Sequence, residues 1–366
     1  MASRRLLLRA SALLCGLALL AAGCGGGDDS EDTEPTTTST TTTSTTTTEP
    51  PPPPVAPLTG APVEDAAALN RPALLVKINN ADGNKCDVRA RPQVGLDQAD
   101  IVIEEIVEGG ITRFVAVFHS SIPETVGPVR SARSSDIDLI LPFKQPLFAW
   151  SGNNANVGAE LNGIRDRFVA VGHSSAAGGH YYRDNSGGRC APSNLFVHPA
   201  DLYAFAEGQG QPPTPVFTYR DLDEAPTAGG VPVAGVRLKS DVDTVFVWNA
   251  TTASWDRYQK RTQHLAAGDV PLSPQNVVVL DVEYRGSSTA GSPQAISVGT
   301  GAAHVYLDGK VIDGTWSRES PDAPWVLTDA AGAPIKLNPG RTWLQLANGG
   351  VPTNLDAAGV APYIGG

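Results

Sequence analysis

Apolar residues fall along this chain in three regimes. Residues 13–20 are a continuous apolar run. Residues 25–54 carry almost nothing apolar. From residue 57 onward, short apolar stretches are punctuated by Gly, Pro, Asn and Asp. In that last regime residues 73–78 predict a strand, and residues 101–107 and 111–118 predict a hairpin about Gly109-Gly110. With those two glycines as the loop, Glu108 faces Ile111 and Ile106 faces Arg113. Glu104, Ile106, Glu108, Arg113 and Val115 then share one face of the hairpin. Residues 157–167 and 199–206 predict helices. Beyond them, residues 242–248, 276–284, 304–312, 325–328 and 342–346 carry the Val, Ile and Trp bias and the turn punctuation of a β meander. The expected fold class is therefore α+β. A mixed α/β N-terminal domain at 57–210 contains the hairpin sheet, and a β-rich C-terminal domain follows at 211–366. The seam is placed in the polar Gly/Pro-rich stretch 207–213. Trp248, Trp255, Trp316, Trp325 and Trp343 fall in the second half, as core aromatics or as an aromatic platform for a glycan.

The first two regimes are not fold. Arg4, Arg5 and Arg9, the apolar run and Ala21-Ala22-Gly23 before Cys24 read as a lipoprotein signal peptide at 1–23. Small residues directly before a cysteine resemble a bacterial lipobox, with Leu20 one place earlier than the usual pattern. That implies lipidation of Cys24 and anchoring to the extracytoplasmic face of the cell membrane. Residues 24–56 read as a Thr/Pro-rich disordered stalk, with six acids, a Thr/Ser tract and an unbroken run of prolines. As a coil such a stalk spans roughly 30 Å, and drawn out about 100 Å.

Charge narrows the partners. The chain carries −11; without the three leader arginines and the six stalk acids, the body is left with −8. An acidic, exported body argues against nucleic acid as a partner. Of the four cysteines, Cys15 leaves with the leader and Cys24 takes the lipid. Cys86 and Cys190 remain, as one disulfide or as two thiols. No cofactor and no metal site is expected, because the histidines lie too far apart in sequence to make a zinc motif with them.

Ten of the thirteen basic residues between 57 and 205 are arginine. Solubility alone would be served equally by lysine, whereas the planar fork of arginine suits carboxylate or phosphate. Arg91, Arg113, Arg130, Arg133 and Arg183 stand beside Pro or Gly turns or at strand ends. Together with Asp136 and Asn194 they are the candidate ligand-binding residues. The same segment holds sixteen acids, so an internal lattice with Glu104, Glu105, Glu108, Asp100, Asp136 and Asp184 competes with that reading.

The stretches Arg91-Pro92-Gln93-Val94-Gly95-Leu96, Glu108-Gly109-Gly110-Ile111-Thr112-Arg113-Phe114 and Gly127-Pro128-Val129-Arg130-Ser131-Ala132-Arg133 resemble the YerB family of bacterial lipoproteins. So do Tyr182-Arg183-Asp184, Ser193-Asn194-Leu195 and, near the C-terminus, Asn338-Pro339-Gly340-Arg341-Thr342-Trp343. One departure is Ser193, where the family pattern leads us to expect histidine. The resemblance implies a two-part body on a lipid anchor and implies no reaction. Three readings of the arginines follow. The first is a non-enzymatic lipoprotein that binds an anionic or glycan wall polymer, or a protein partner, through an arginine face. The second is an envelope glycopolymer transferase or hydrolase acting on a phosphate-containing substrate, with Asp136 positioning a metal or a proton. The third is a structural interaction domain.

Overall fold

The computed structural model describes residues 53–64, 66–239, 242–286 and 292–364. The leader, Cys24 and most of the stalk lie outside the described residues. Pro52–Gly366 is one compact unit. It begins a few residues ahead of the expected boundary at 57: Ala56 is buried and its N–H donates to Ala61 O at 2.8 Å, while Val63 N–H donates to Pro54 O.

The N-terminal half contributes β1 (Leu74–Asn79), β2 (Ile101–Val107), β3 (Ile111–Phe118), α1 (Ser135–Ile140), β4 (Leu147–Ala149), α2 (Ala155–Gly163), β5 (Val169–Ala170), β6 (Tyr181–Arg183), β7 (Leu195–Val197) and α3 (Pro199–Phe205). The predicted strands and helices are present within a few residues of the expected bounds. β1 and β2 are buried on both faces, so they read as nearly unbroken apolar runs instead of alternating ones. On one face Leu75, Ile103, Val115 and Val117 pack beneath Leu139 and Ile140 of α1 and Val157 and Leu161 of α2. On the other, Leu74, Val76, Phe114 and Ala116 pack against Leu202 of α3 and against Phe246, Trp255 and Trp343. Each such side chain contributes roughly 1.5–3 kcal/mol by burial.

An α+β architecture is what forms, and its main sheet crosses the expected seam. The strand Thr342–Ala347 lies between β2 and the strand Asn276–Asp281 and runs parallel to both. From one edge the sheet runs Val326–Asp329, Lys310–Arg318, Gly299–Leu307, Asn276–Asp281, Thr342–Ala347, β2, β3, β1, β4, β5. A second sheet, built around Asp243–Asn249 and Ser254–Gln259, contributes Phe246 and Trp255 to the layer over Phe114. Trp255, Trp316, Trp325 and Trp343 are buried in the core, and Trp248 is half-buried with its ring 5.0 Å from that of Trp255.

The hairpin register differs by one from the expected pairing. Val107 pairs with Ile111, Ile106 with Thr112, and Glu105 with Arg113. The loop holds three residues, Glu108 to Gly110. Gly109 and Gly110 have φ of 79° and 66°, which lets the chain turn one residue earlier. Glu105, not Ile106, therefore faces Arg113, and Glu104 points to the opposite side of the sheet.

A candidate anion site at the carboxyl ends of the parallel strands

β1 runs parallel to β4 from Leu74↔Leu147 to Val76↔Ala149, and β4 runs parallel to β5. Beyond Ala149 the two strands part, and the chain after the Gly127-Pro128 turn is wedged between them. Val129 bridges to Ile78, and Arg130 N–H donates to Lys77 O at 2.7 Å. On its other side Arg130 O accepts from Ser151 N–H at 2.9 Å, and Ala132 N–H donates to Gly152 O. Glycine is required at 127 because a Cβ there would come within 2.5 Å of the Phe196 ring. The wedge places Arg130 on the same sheet face as Lys77, Arg113 and Glu105.

Beneath that face lies a fully buried group of charges. Lys77 Nζ donates to Glu105 Oε1, and to Asp136 Oδ1 at 2.6 Å, with no exposure at any of the three residues. Asp136 Oδ2 accepts from Arg133 N–H at 2.7 Å. Burial pushes the Glu105 carboxyl upward, against the pull of the Lys77 ammonium. Both Asp136 oxygens are thus engaged away from solvent. Asp136, expected to contact a ligand or to position a metal or a proton, lies at the start of α1 over Lys77.

Above it, two arginines share one carboxylate. Arg133 donates through Nε to Glu108 Oε2 at 2.7 Å and through Nη2 to Oε1. Arg113 donates to the same Oε1 at 2.9 Å, and its Nη1 donates to Ser131 O. Partial burial alone would raise the Glu108 carboxyl. The hydrogen bonds from Arg133 and the charges of Arg113 and Arg133 outweigh it and hold the group at about 2. Burial, together with the neighbouring Arg133 charge, brings Arg113 down to about 10 despite Glu108.

Arg130 stands apart. It donates no side-chain hydrogen bond to any described residue, and its Nε is buried without a partner. Burial and the like charge of Arg133 lower it, and Glu108 offsets them only in part. Across this face the cations are Lys77, Arg113, Arg130 and Arg133, and the carboxylates are Glu105, Glu108 and Asp136. Arg130 is the cation left over.

The other expected site residues lie in separate surroundings. Arg91 pairs with Asp82 at 3.1 Å and reaches Gln263 O. Arg183 donates to Asn194 Oδ1 at 2.6 Å, and Asn194 in turn donates to Asn185. Cys86 and Cys190 form a disulfide. Close by, Ser193 accepts from Asn79 Nδ2 and donates to Asp87 O, a packing role at the position where histidine was expected. Lys77 was not among the expected residues. Its signal was a lone lysine inside an apolar strand, which must find carboxylates once the strand is buried. No group of three His, Cys, Asp or Glu among the described residues is arranged to hold a metal ion. A groove of about 900 Å³ is lined by Val55, Phe217, Tyr219, Leu222 and Trp325 and includes none of the arginines above.

Comparison with known proteins matches two stretches of the chain in order. A family model described as "Protein of unknown function (DUF3048) N-terminal domain" matches residues 58–212, and its C-terminal counterpart matches residues 235–344. A protein of Bacillus subtilis (strain 168) named "Putative lipoprotein YerB" is 28% identical over 324 residues, covering 84% of this chain and 88% of that protein. A crystal structure of YerB protein from Bacillus subtilis shares the fold, with a TM-score of 0.67 at 24% identity. It covers 80% of this chain and 96% of that one. With both halves matched in order, the chain belongs to the DUF3048 family.

Proposed function

We propose that this protein is a lipoprotein anchored through Cys24 on the extracytoplasmic face of the membrane, and that Arg130 takes an anionic group of the cell envelope. The anchor is supported by the leader and lipobox-like sequence and by the name of the Bacillus relative. The cysteine pairing suits an oxidising compartment. The single observation that carries the binding reading is the state of Arg130: a half-buried guanidinium with no acceptor among the described residues, beside a second arginine. A desolvated cation without a partner is costly, and an oxyanion at that place relieves it with charge-assisted hydrogen bonds. Arg113 and Arg133 act as a fixed positive frame, already tied to Glu108.

Calorimetric titration of the mature protein with inorganic phosphate and pyrophosphate at low ionic strength tests this. Wild type binds, and Arg130→Ala weakens binding at least tenfold without a change in melting temperature beyond a few degrees. Binding that survives in Arg130→Ala, or no binding in wild type, overturns the reading.

A further inference from the structure

Arg130 has neighbours of two kinds. Toward β3 stands the Glu108 cluster. Toward β4 and β5 the chain leaves the sheet in two loops without Asp, Glu, Lys or Arg, Trp150-Ser151-Gly152-Asn153-Asn154 and Gly172-His173-Ser174-Ser175. His173 N–H donates to Trp150 O at 2.7 Å, so the two loops run side by side from the ends of adjacent parallel strands. Such strand ends, where one connection departs from the next, are where open α/β sheets bind small ligands.

Side-chain alternation puts Arg130, Gly152 and Gly172 on one face. A Cβ at Gly172 would sit 2.7 Å from the Trp150 ring, so the indole lies directly over that glycine. A Cβ at Gly152 would meet only Ser174 Oγ, at 4.0 Å, so the space over Gly152, next to Arg130 in the backbone ladder, is open. Its rim carries neutral hydrogen-bonding groups. Asn153 accepts from Trp150 Nε1 at 3.1 Å and donates through Nδ2 to Asn154 O at 2.9 Å, which fixes its amide within the loop. Asn154 accepts from Val157 N–H at 2.9 Å as the cap of α2, which leaves its Nδ2 hydrogens for another acceptor. Ser174 is exposed.

We infer that the anion held by Arg130 is borne by a saccharide, whose hydroxyl groups lie over Gly152 against Ser174 and Asn154. The inference rests on the reading of Arg130 as the anion site. Neutral amides and hydroxyls donate and accept at the same time, which matches sugar hydroxyls, whereas a bare phosphate or carboxylate offers acceptors alone. One cation flanked by such groups fits a ligand with one charged group and several hydroxyls.

The test is calorimetric titration of the mature protein with N-acetylglucosamine 1-phosphate, glucuronic acid, inorganic phosphate, glycerol phosphate and N-acetylglucosamine. At least one anionic sugar binds ten or more times as tightly as phosphate and glycerol phosphate, and which one it is separates phosphate from carboxylate as the charged group. Ser174→Leu, an exposed position, fills the space over Gly152. It brings the sugar down to the affinity of phosphate and leaves phosphate binding and the melting temperature unchanged. If anionic sugars bind no better than phosphate, or Ser174→Leu has no effect on them, the saccharide inference falls and the anion site stands. If no anion binds, both fall.

Discussion

Glu104 and Glu105 are adjacent in β2, yet their carboxylates are buried on opposite faces of the sheet, each against its own buried cation. Glu104 accepts from Arg257 Nη2 at 2.9 Å and from Trp343 Nε1 at 3.0 Å. Glu105 accepts from Lys77. The first joins the N-terminal half of the chain to the C-terminal half, and the second ties β1 to β2 beneath the arginine cluster. Neither carboxylate faces solvent, so the paired acids of β2 are framework for the site and not its working groups.

Removing one partner of such a group costs more than the pair contributes, because the remaining charges stay buried. Lys77→Met leaves Glu105 and Asp136 without their shared cation. The expected loss is about 3–5 kcal/mol, read from urea unfolding as a lower midpoint at unchanged slope. A loss below about 1 kcal/mol would show that the two carboxylates accommodate each other by protonation.

Glu108 gives the acid limb of the stability profile a defined sign. Its folded value of about 2 lies below the ordinary carboxylate value of 4.5. Its contribution is therefore complete above the ordinary value and disappears as pH falls from there through the folded one. Because the side chain is more than a third exposed, solvent screening reduces that contribution to about 1 kcal/mol. Glu108→Gln lacks it. The stability gap between wild type and this variant is expected in full at pH 6, narrows as pH falls below 4.5, and closes toward zero only below the folded value. A gap of the same size at pH 6 and pH 2.5 contradicts the assignment.

Cys86 and Cys190 close a loop across 104 residues of sequence. Replacing both by serine is expected to lower stability by about 2–4 kcal/mol, chiefly by freeing the unfolded chain. Neighbouring contacts, such as Arg189 to Pro92 O and Ser193 to Asp87 O, keep the two loops together in the folded state. Phosphate affinity at Arg130 is therefore expected to stay within twofold of wild type. A tenfold loss would mean that the disulfide positions the site.

Much of this was legible in the residues. The strands, α2 and α3 followed from apolar runs and their breakers, and the Cys86–Cys190 pair was one of two outcomes that the cysteine count left open. The hairpin register was not legible, because Glu108-Gly109-Gly110 reads equally as a two- or a three-residue loop, and one residue turns Glu105 instead of Ile106 toward Arg113. The arginines beside turns drew attention to the segment that holds Arg113, Arg130 and Arg133. Which of them lacks a partner depends on Glu108, which the one-residue shift moves out of the strand pairing and into the loop. The interleaved sheet could not be read either, since nothing local in Thr342–Ala347 shows that it pairs with β2, some 240 residues earlier in the chain.

That interleaving makes a prediction about the two halves. In the intact protein β2 is covered on its outer edge by Thr342–Ala347, whose Trp343 packs on Phe114 with ring centres 5.2 Å apart. Cut at the Gly/Pro-rich stretch 207–213, a fragment of residues 53–212 would expose the backbone of β2 along that edge. It would also leave Glu104 without Arg257 and Phe114, Val102 and Val76 without their cover. The expected outcome is a fragment that is aggregated or lacks cooperative thermal unfolding and dispersed amide resonances. Adding a separately produced fragment of residues 213–366 should restore both. A fragment of residues 53–212 that alone unfolds cooperatively, with the dispersion of the intact protein, would show that the halves are independent domains and that the shared sheet is not required for either.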